Sequence, residues 1–161
     1  MTMTDPTSSL PAVRRLAADA AESFYVLGDR IALRGDLAGS NLTMIDVTIP
    51  PGGGVPPHTH ASPETFRVLE GRVSFWRATD TGSEEIEAGP GDVVVVPSDV
   101  PHGYRNAGTA PAVVMVLLEP AMVAFFRAMA DPAPLAGPPT PEILARVGAL
   151  TTAHGIRMLA A

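Results

Sequence analysis

Apolar and polar positions alternate in short runs between residues 23 and 118, and beyond them the apolar spacing becomes helical. Residues 24–27 and 31–34 flank Gly28-Asp29, a hairpin signal. Residues 41–49 form a longer strand, with Leu42, Met44, Ile45, Val47 and Ile49 divided between its faces. The segment 50–57 (PPGGGVPP) breaks the pattern: glycine permits positive φ and proline removes ladder donors, which predicts a sharp corner. Residues 64–70 and 72–78 read as an antiparallel pair turning at Glu70-Gly71, followed by a short strand over 84–88. After the turn Gly89-Pro90-Gly91-Asp92, the unbroken β-branched run 93–96 predicts a strand buried on both faces. Residues 97–101 turn again, 102–106 lead into the second half, and 112–118 are the last apolar strand. Many short strands bounded by turn signals predict an all-β barrel or sandwich.

Past Glu119-Pro120, Met122, Val123, Phe125, Phe126 and Met129 fall on one helical stripe. A proline-rich connector over 131–141 leads to a second helix over 141–153, with Thr140 as N-cap and Gly155 as stop. Its apolar face carries Ile143, Leu144, Val147 and Leu150. Residues 1–22 are alanine-rich, with a weak helical stretch over 13–21, and predict a flexible N-terminal arm. The expected organisation is therefore an arm over 1–22, a β-barrel over 23–119 and a helical extension over 120–161, packed on the barrel as an appendage.

Composition narrows the function classes. The 15 glycines and 17 prolines suit short strands and tight turns. With no cysteine, disulfides and thiolate ligands are both excluded. A net charge of −6, with 11 scattered basic residues, argues against a nucleic-acid surface. No run of roughly 20 apolar residues predicts a membrane span, and no signal peptide is legible, so a cytoplasmic protein is the expectation. Only 17% of residues are charged, below the usual ~25%, and barrels of this kind expose sheet edges; both features predict a homodimer.

The candidate chemistry lies in His58-Thr-His60-Ala-Ser-Pro-Glu64 and in His102. Imidazole plus carboxylate is a first-row transition-metal ligand set. In a strand, residues two apart share a face, so His58 and His60 project together. The same rule places Phe66 and Val68 with Glu64, and Tyr104 and Asn106 with His102. An inward histidine can also be a hydrogen-bonded core residue, the lesser of the two readings, and Tyr104 can equally be a satisfied tyrosine of the barrel wall. Arg67 alternates outward, and His154 reads as a helix C-terminal residue. Gly52-Gly53-Gly54 lacks the lysine and helix of a phosphate loop.

Gly52-x5-His58-x-His60-x3-Glu64-x6-Gly71 resembles the first motif of the cupin superfamily, and Gly91-x5-Pro97-x-Asp99-x2-His102-x3-Asn106 resembles the second. Asp99 stands where that pattern has glycine, and aspartate tolerates the left-handed region better than most residues. The resemblance, strongest toward small quercetinase-like cupins, implies a double-stranded β-helix (jelly-roll) barrel. It also implies one divalent metal (Fe, Mn, Ni, Co, Cu or Zn) held by His58, His60, Glu64 and His102, with coordination positions left open. Glu64 resembles a residue that can also act as a base on a substrate hydroxyl. Phe66, Val68 and Tyr104 are the expected pocket wall for a small molecule. The expected function is a metal-dependent dioxygenase of a small aromatic or enolic substrate. The competing readings are a non-redox isomerase, cyclase or decarboxylase on the same site, and a non-enzymatic binding barrel.

Overall fold

The computed structural model describes residues 13–159; of the expected N-terminal arm, residues 1–12 lie outside that range. Residues 13–22 hold one 3-10 turn, Ala18–Ala20, in place of the predicted helical stretch. The strands follow as β1 (Ser23–Val26), β2 (Asp29–Asp36), β3 (Thr43–Ile49), β4 (Gly54–Thr59), β5 (Glu64–Glu70), β6 (Val73–Thr79), β7 (Gly82–Ala88), β8 (Val93–Val96), β9 (His102–Arg105) and β10 (Ala112–Leu118). Helices α1 (Pro120–Met129) and α2 (Pro141–Ala153) come next, and β11 (Arg157–Met158) closes the described chain. Two antiparallel sheets result, in the orders β1-β2-β3-β10-β5-β8 and β11-β4-β9-β6-β7.

The core lies between the sheets. Ile45, Ile49, Val68, Val73, Val114 and Leu118 are all within 1% of complete burial. Alternation is clean on β3 and β10, whose inward residues are buried and whose outward ones are half-buried. Asn106 ties the two halves together at the rim. Its amide donates to the carbonyls of Ile49 and Ala110 at 3.0 and 2.9 Å, and its oxygen accepts from the Gly108 N–H at 2.9 Å.

Four local expectations are corrected. β5 and β6 do not pair: β5 lies between β10 and β8, and β6 between β9 and β7. At Gly71, with φ 74, the chain crosses from one sheet to the other, and an added Cβ there would lie 2.9 Å from Ala112. The crossing lets the two apolar faces meet, with the rings of Phe66 and Phe75 5.2 Å apart; a hairpin would have left them side by side. β8 is an edge strand, and Val93 and Val95 are 56% and 66% exposed rather than buried. The corner ends early, because Pro56 and Pro57 lie within β4, where the ladder to β9 shifts register between Val55 and His58. Proline is accommodated there because an irregular ladder asks for no donor. On α2, Leu144 is 57% exposed, so the buried face is narrower than its apolar stripe.

α2 starts and stops as its sequence predicts. The Thr140 side chain accepts from the Ile143 N–H at 3.4 Å. At the other end Gly155 takes φ 70, Ile156 N–H donates to the Thr151 carbonyl at 2.8 Å, and Gly155 N–H to that of Thr152 at 3.2 Å. That is a Schellman ending, and it buries Ile156 and turns the chain back onto the barrel. β11 then pairs with β4 at Thr59 and His58. Among the described residues no helix is long and apolar enough to cross a membrane.

Candidate metal centre and its cavity

His58 on β4 and His102 on β9 are direct cross-strand partners, which places their imidazoles side by side, ring centroids 4.3 Å apart. His60 follows the end of β4, and its carbonyl accepts the Asp99 N–H at 2.9 Å, joining the two motif loops. Asp99 takes φ 62, the left-handed conformation its place in the second motif requires. The His60 ring lies 5.2 Å from His58 and 4.9 Å from His102. One nitrogen from each of the three lies within 4.8 Å of the others, a separation that lets them hold a single metal ion.

Glu64, first residue of β5, reaches in from the opposite sheet. Its carboxylate oxygens stand 3.6 Å from His60 Nε2 and 3.5 Å from His102 Nε2, and it is 6% exposed. Glu64 thus adjoins two of the imidazoles and stands outside the tight triplet of nitrogens. Close approach of β4 and β9 depends on glycine. Gly54 has φ 151, and a Cβ added there would lie 2.2 Å from the Tyr104 carbonyl oxygen.

Local hydrogen bonds orient the rings. His58 Nδ1 pairs with the Pro56 carbonyl at 2.9 Å and His102 Nδ1 with that of Val100 at 2.8 Å, each two residues upstream. A carbonyl only accepts, so both Nδ1 atoms carry the proton and both Nε2 atoms present lone pairs. Burial, reinforced by neighbouring His102, lowers the His58 pKa to about 4, and burial likewise lowers that of His60. Both rings are therefore neutral at pH 7, the form that ligates. His60 Nδ1, His60 Nε2 and His102 Nε2 are buried with no hydrogen-bond partner. Buried orphan nitrogens are costly. One nitrogen from each of three neighbouring imidazoles, beside a carboxylate and without thiolate, fits a divalent transition metal.

The cluster opens on a cavity of about 440 Å³ lined by His58, Glu64, Phe66 and Tyr104 among many apolar side chains. Of the pocket wall expected from sequence, Phe66 and Tyr104 line this space; Val68, 1% exposed, packs inward without lining it. Phe66 and Tyr104 meet edge to face at 5.9 Å. Two parts of the lining went unnoticed in the sequence. The C-terminal segment supplies Met122, Phe125, Val147, Ile156 and Met158, so the two helices that pack on the barrel also wall the cavity. Asp29, which opens β2, accepts a hydrogen bond from the Tyr104 hydroxyl at 3.0 Å. The readable signal was a carboxylate in register with buried Ile31 on the apolar side of its strand.

Residues 45–118 match the family described as Cupin domain. A quercetin 2,3-dioxygenase from Bacillus subtilis (strain 168) is 36% identical over 84 residues, 52% of this chain and 24% of that protein. The matched stretch thus spans about a quarter of that relative. Among solved structures, the polyketide cyclase RemF from Streptomyces resistomycificus superposes with a TM-score of 0.57 at 21% identity, covering 67% of this chain and 80% of that one. A sugar phosphate isomerase of the cupin superfamily from Silicibacter pomeroyi gives 0.55 at 25% identity, covering 66% and 75%. These likenesses agree with a double-stranded β-helix barrel.

Proposed function

We propose that this chain, whose residues 45–118 match the cupin domain family, is a metal-dependent dioxygenase acting on a small aromatic or enolic molecule. One observation carries the reading: three neighbouring imidazoles, two of them with unpartnered buried nitrogens, and a buried carboxylate adjoin a mostly apolar cavity of about 440 Å³ that His58 and Glu64 line. A volume of that size suits a small ring compound. The similarity to a protein named for the dioxygenation of quercetin supports the choice of reaction class.

His58, His60, His102 and Glu64 are the residues that would hold the metal. A divalent metal there would supply Lewis-acid polarisation of a substrate oxygen and a meeting point for substrate and dioxygen. The protein's own part is orientation, desolvation and proton transfer. The Pro56 and Val100 carbonyls keep His58 and His102 in one tautomer. The apolar wall from the barrel and the C-terminal segment keeps water from the reacting groups. Glu64, buried and next to two imidazoles, is also the residue placed to take a proton from a substrate hydroxyl entering beside it. The barrel over 23–119 and the extension over 120–161 then act as one unit. We expect a homodimer, in which the exposed Val93 and Val95 of edge strand β8 would find cover; sedimentation at the monomer mass of 16.7 kDa would refute that.

Oxygen consumption by the metal-loaded protein with flavonols, diketones and catechols tests the function, with Glu64→Ala as the inactive control. Uptake with at least one class is expected, and no uptake across the panel refutes dioxygenation. Product formed under strict anaerobiosis would move the reaction to isomerisation, cyclisation or decarboxylation. Ligand affinity that survives Glu64→Ala without any turnover would mark a binding barrel.

A further inference from the structure

The cavity has a second polar station besides the histidines and Glu64, formed by Asp29 and Tyr104. Tyr104 follows His102 by two residues on β9, about 6.6 Å along the strand. Its ring packs on Phe66 at 5.9 Å and Phe75 at 6.1 Å, and its hydroxyl donates to Asp29 Oδ2. Asp29 lines the cavity and is 7% exposed. Among the described residues Tyr104 is the only hydrogen-bond donor to its side chain. Among the described residues Asp29 Oδ1 has no hydrogen-bond partner, and unlike the orphan histidine nitrogens it is not fully enclosed by protein. An oxygen with no partner that is not sealed, on a residue of the lining, is open to the cavity.

A purely structural role accounts poorly for this carboxyl. Burial raises its pKa to about 6, and a single hydroxyl is a thin return for that cost. The preceding two-residue turn is strained as well. Leu27, not Gly28, takes the positive φ, 57, and its side chain lines the same cavity. Strained backbone beside an under-satisfied buried acid is a pattern of ligand sites.

We propose that Asp29 and Tyr104 form a substrate anchor that accepts a hydroxyl or N–H from the far end of a mostly apolar ring compound whose other polar end meets the histidine cluster. Tyr104, its hydroxyl spent on Asp29, orients the carboxylate so that Oδ1 is the free acceptor. This rests on the reading that a small aromatic or enolic molecule enters this cavity, and it adds the requirement for a second, distal donor. The selectivity follows from pairing: a ligand lacking the donor leaves the buried oxygen unmatched.

The test is binding, measured by calorimetry on protein reconstituted with Ni(II) under nitrogen. The probes are 3-hydroxyflavone and its 7-hydroxy and 4′-hydroxy derivatives, compared in wild type, Asp29→Ala and Tyr104→Phe, with nickel content and thermal unfolding recorded for each. In wild type, one derivative is expected to bind at least fivefold more tightly than the parent. In both variants that advantage, read as the ratio of derivative to parent affinity, should fall below twofold, with nickel content unchanged. If both derivatives match the parent in wild type, or the advantage persists in Asp29→Ala, the anchor is wrong and the metal-site reading stands. If no probe binds the loaded wild type, the aromatic-substrate reading fails and the anchor with it. Should Asp29→Ala not fold, Tyr104→Phe decides alone, since it removes one hydroxyl from a ring held by Phe66 and Phe75.

Discussion

Asp29→Asn isolates the free-energy cost of one buried carboxyl. Burial raises the Asp29 pKa from 3.8 to about 6, against a smaller opposing effect of the Tyr104 hydroxyl. A carboxyl with a higher pKa folded than unfolded binds more protons in the native state, so its contribution favours folding in acid and is lost as pH rises through about 6. At about 1.36 kcal/mol per pH unit, the full effect is about 3 kcal/mol, roughly half of it falling between pH 5 and pH 7.5. His58 works against it in nearly the same window. Its pKa falls from 6.5 to about 4, so its contribution is present above pH 6.5 and disappears toward pH 4. The wild-type pH profile alone therefore conceals both. Subtracting the Asp29→Asn profile cancels the histidines and leaves Asp29. Urea unfolding from pH 4.5 to 8, in chelator to exclude metal-linked stabilisation, provides the two curves. The wild-type-minus-variant difference should fall by about 1.5 kcal/mol between pH 5 and pH 7.5. A difference that stays flat, or rises with pH, refutes the assignment of a buried, under-compensated acid.

Other perturbations probe separate parts of the site. His60→Ala and His102→Ala should each weaken metal binding by roughly a hundredfold or more, at or beyond the usual cost of losing an outer-shell partner, as read by metal titration; undiminished loading would place the metal elsewhere. Gly54→Ala puts a methyl 2.2 Å from the Tyr104 carbonyl at φ 151, so it should cost about 3 kcal/mol in urea unfolding and lower metal occupancy by parting β4 from β9. A neutral effect would show that this approach is not needed to pair His58 with His102. Asp99→Gly should stay within about 0.5 kcal/mol of wild type, because relief at φ 62 is offset by unfolded-state entropy, whereas Asp99→Val should cost about 1–2 kcal/mol. Equal stability of the two variants would mean that the left-handed turn imposes no strain.

Some of this molecule is readable from local chemistry. The strand periods, the helix over 141–153 with Thr140 and Gly155 at its ends, and the strain-tolerant Asp99 are all settled by neighbours within a few residues. Alternation also put Glu64 and Phe66 on one face of β5, whereas it could not by itself bring Glu64 to His58 and His60 at the end of β4. The β-branched run 93–96 misled because apolar residues on an edge strand read the same as those in a buried one. Likewise Glu70-Gly71 signals a tight turn whether the chain returns along its own sheet or crosses to the other.

By itself, then, the sequence determined element types, the inward faces of the strands and a ligand-like set of four side chains. Only tertiary structure decided which strands became neighbours, and hence that His58 lies opposite His102 while Glu64 arrives from the other sheet. The same long-range packing laid the C-terminal segment along the cavity and its last strand on β4, and brought Asp29 to Tyr104 across 75 residues. The physical reason is that side-chain alternation is a local property of the backbone, whereas sheet order is selected by which apolar faces can be buried against each other once the whole chain is present.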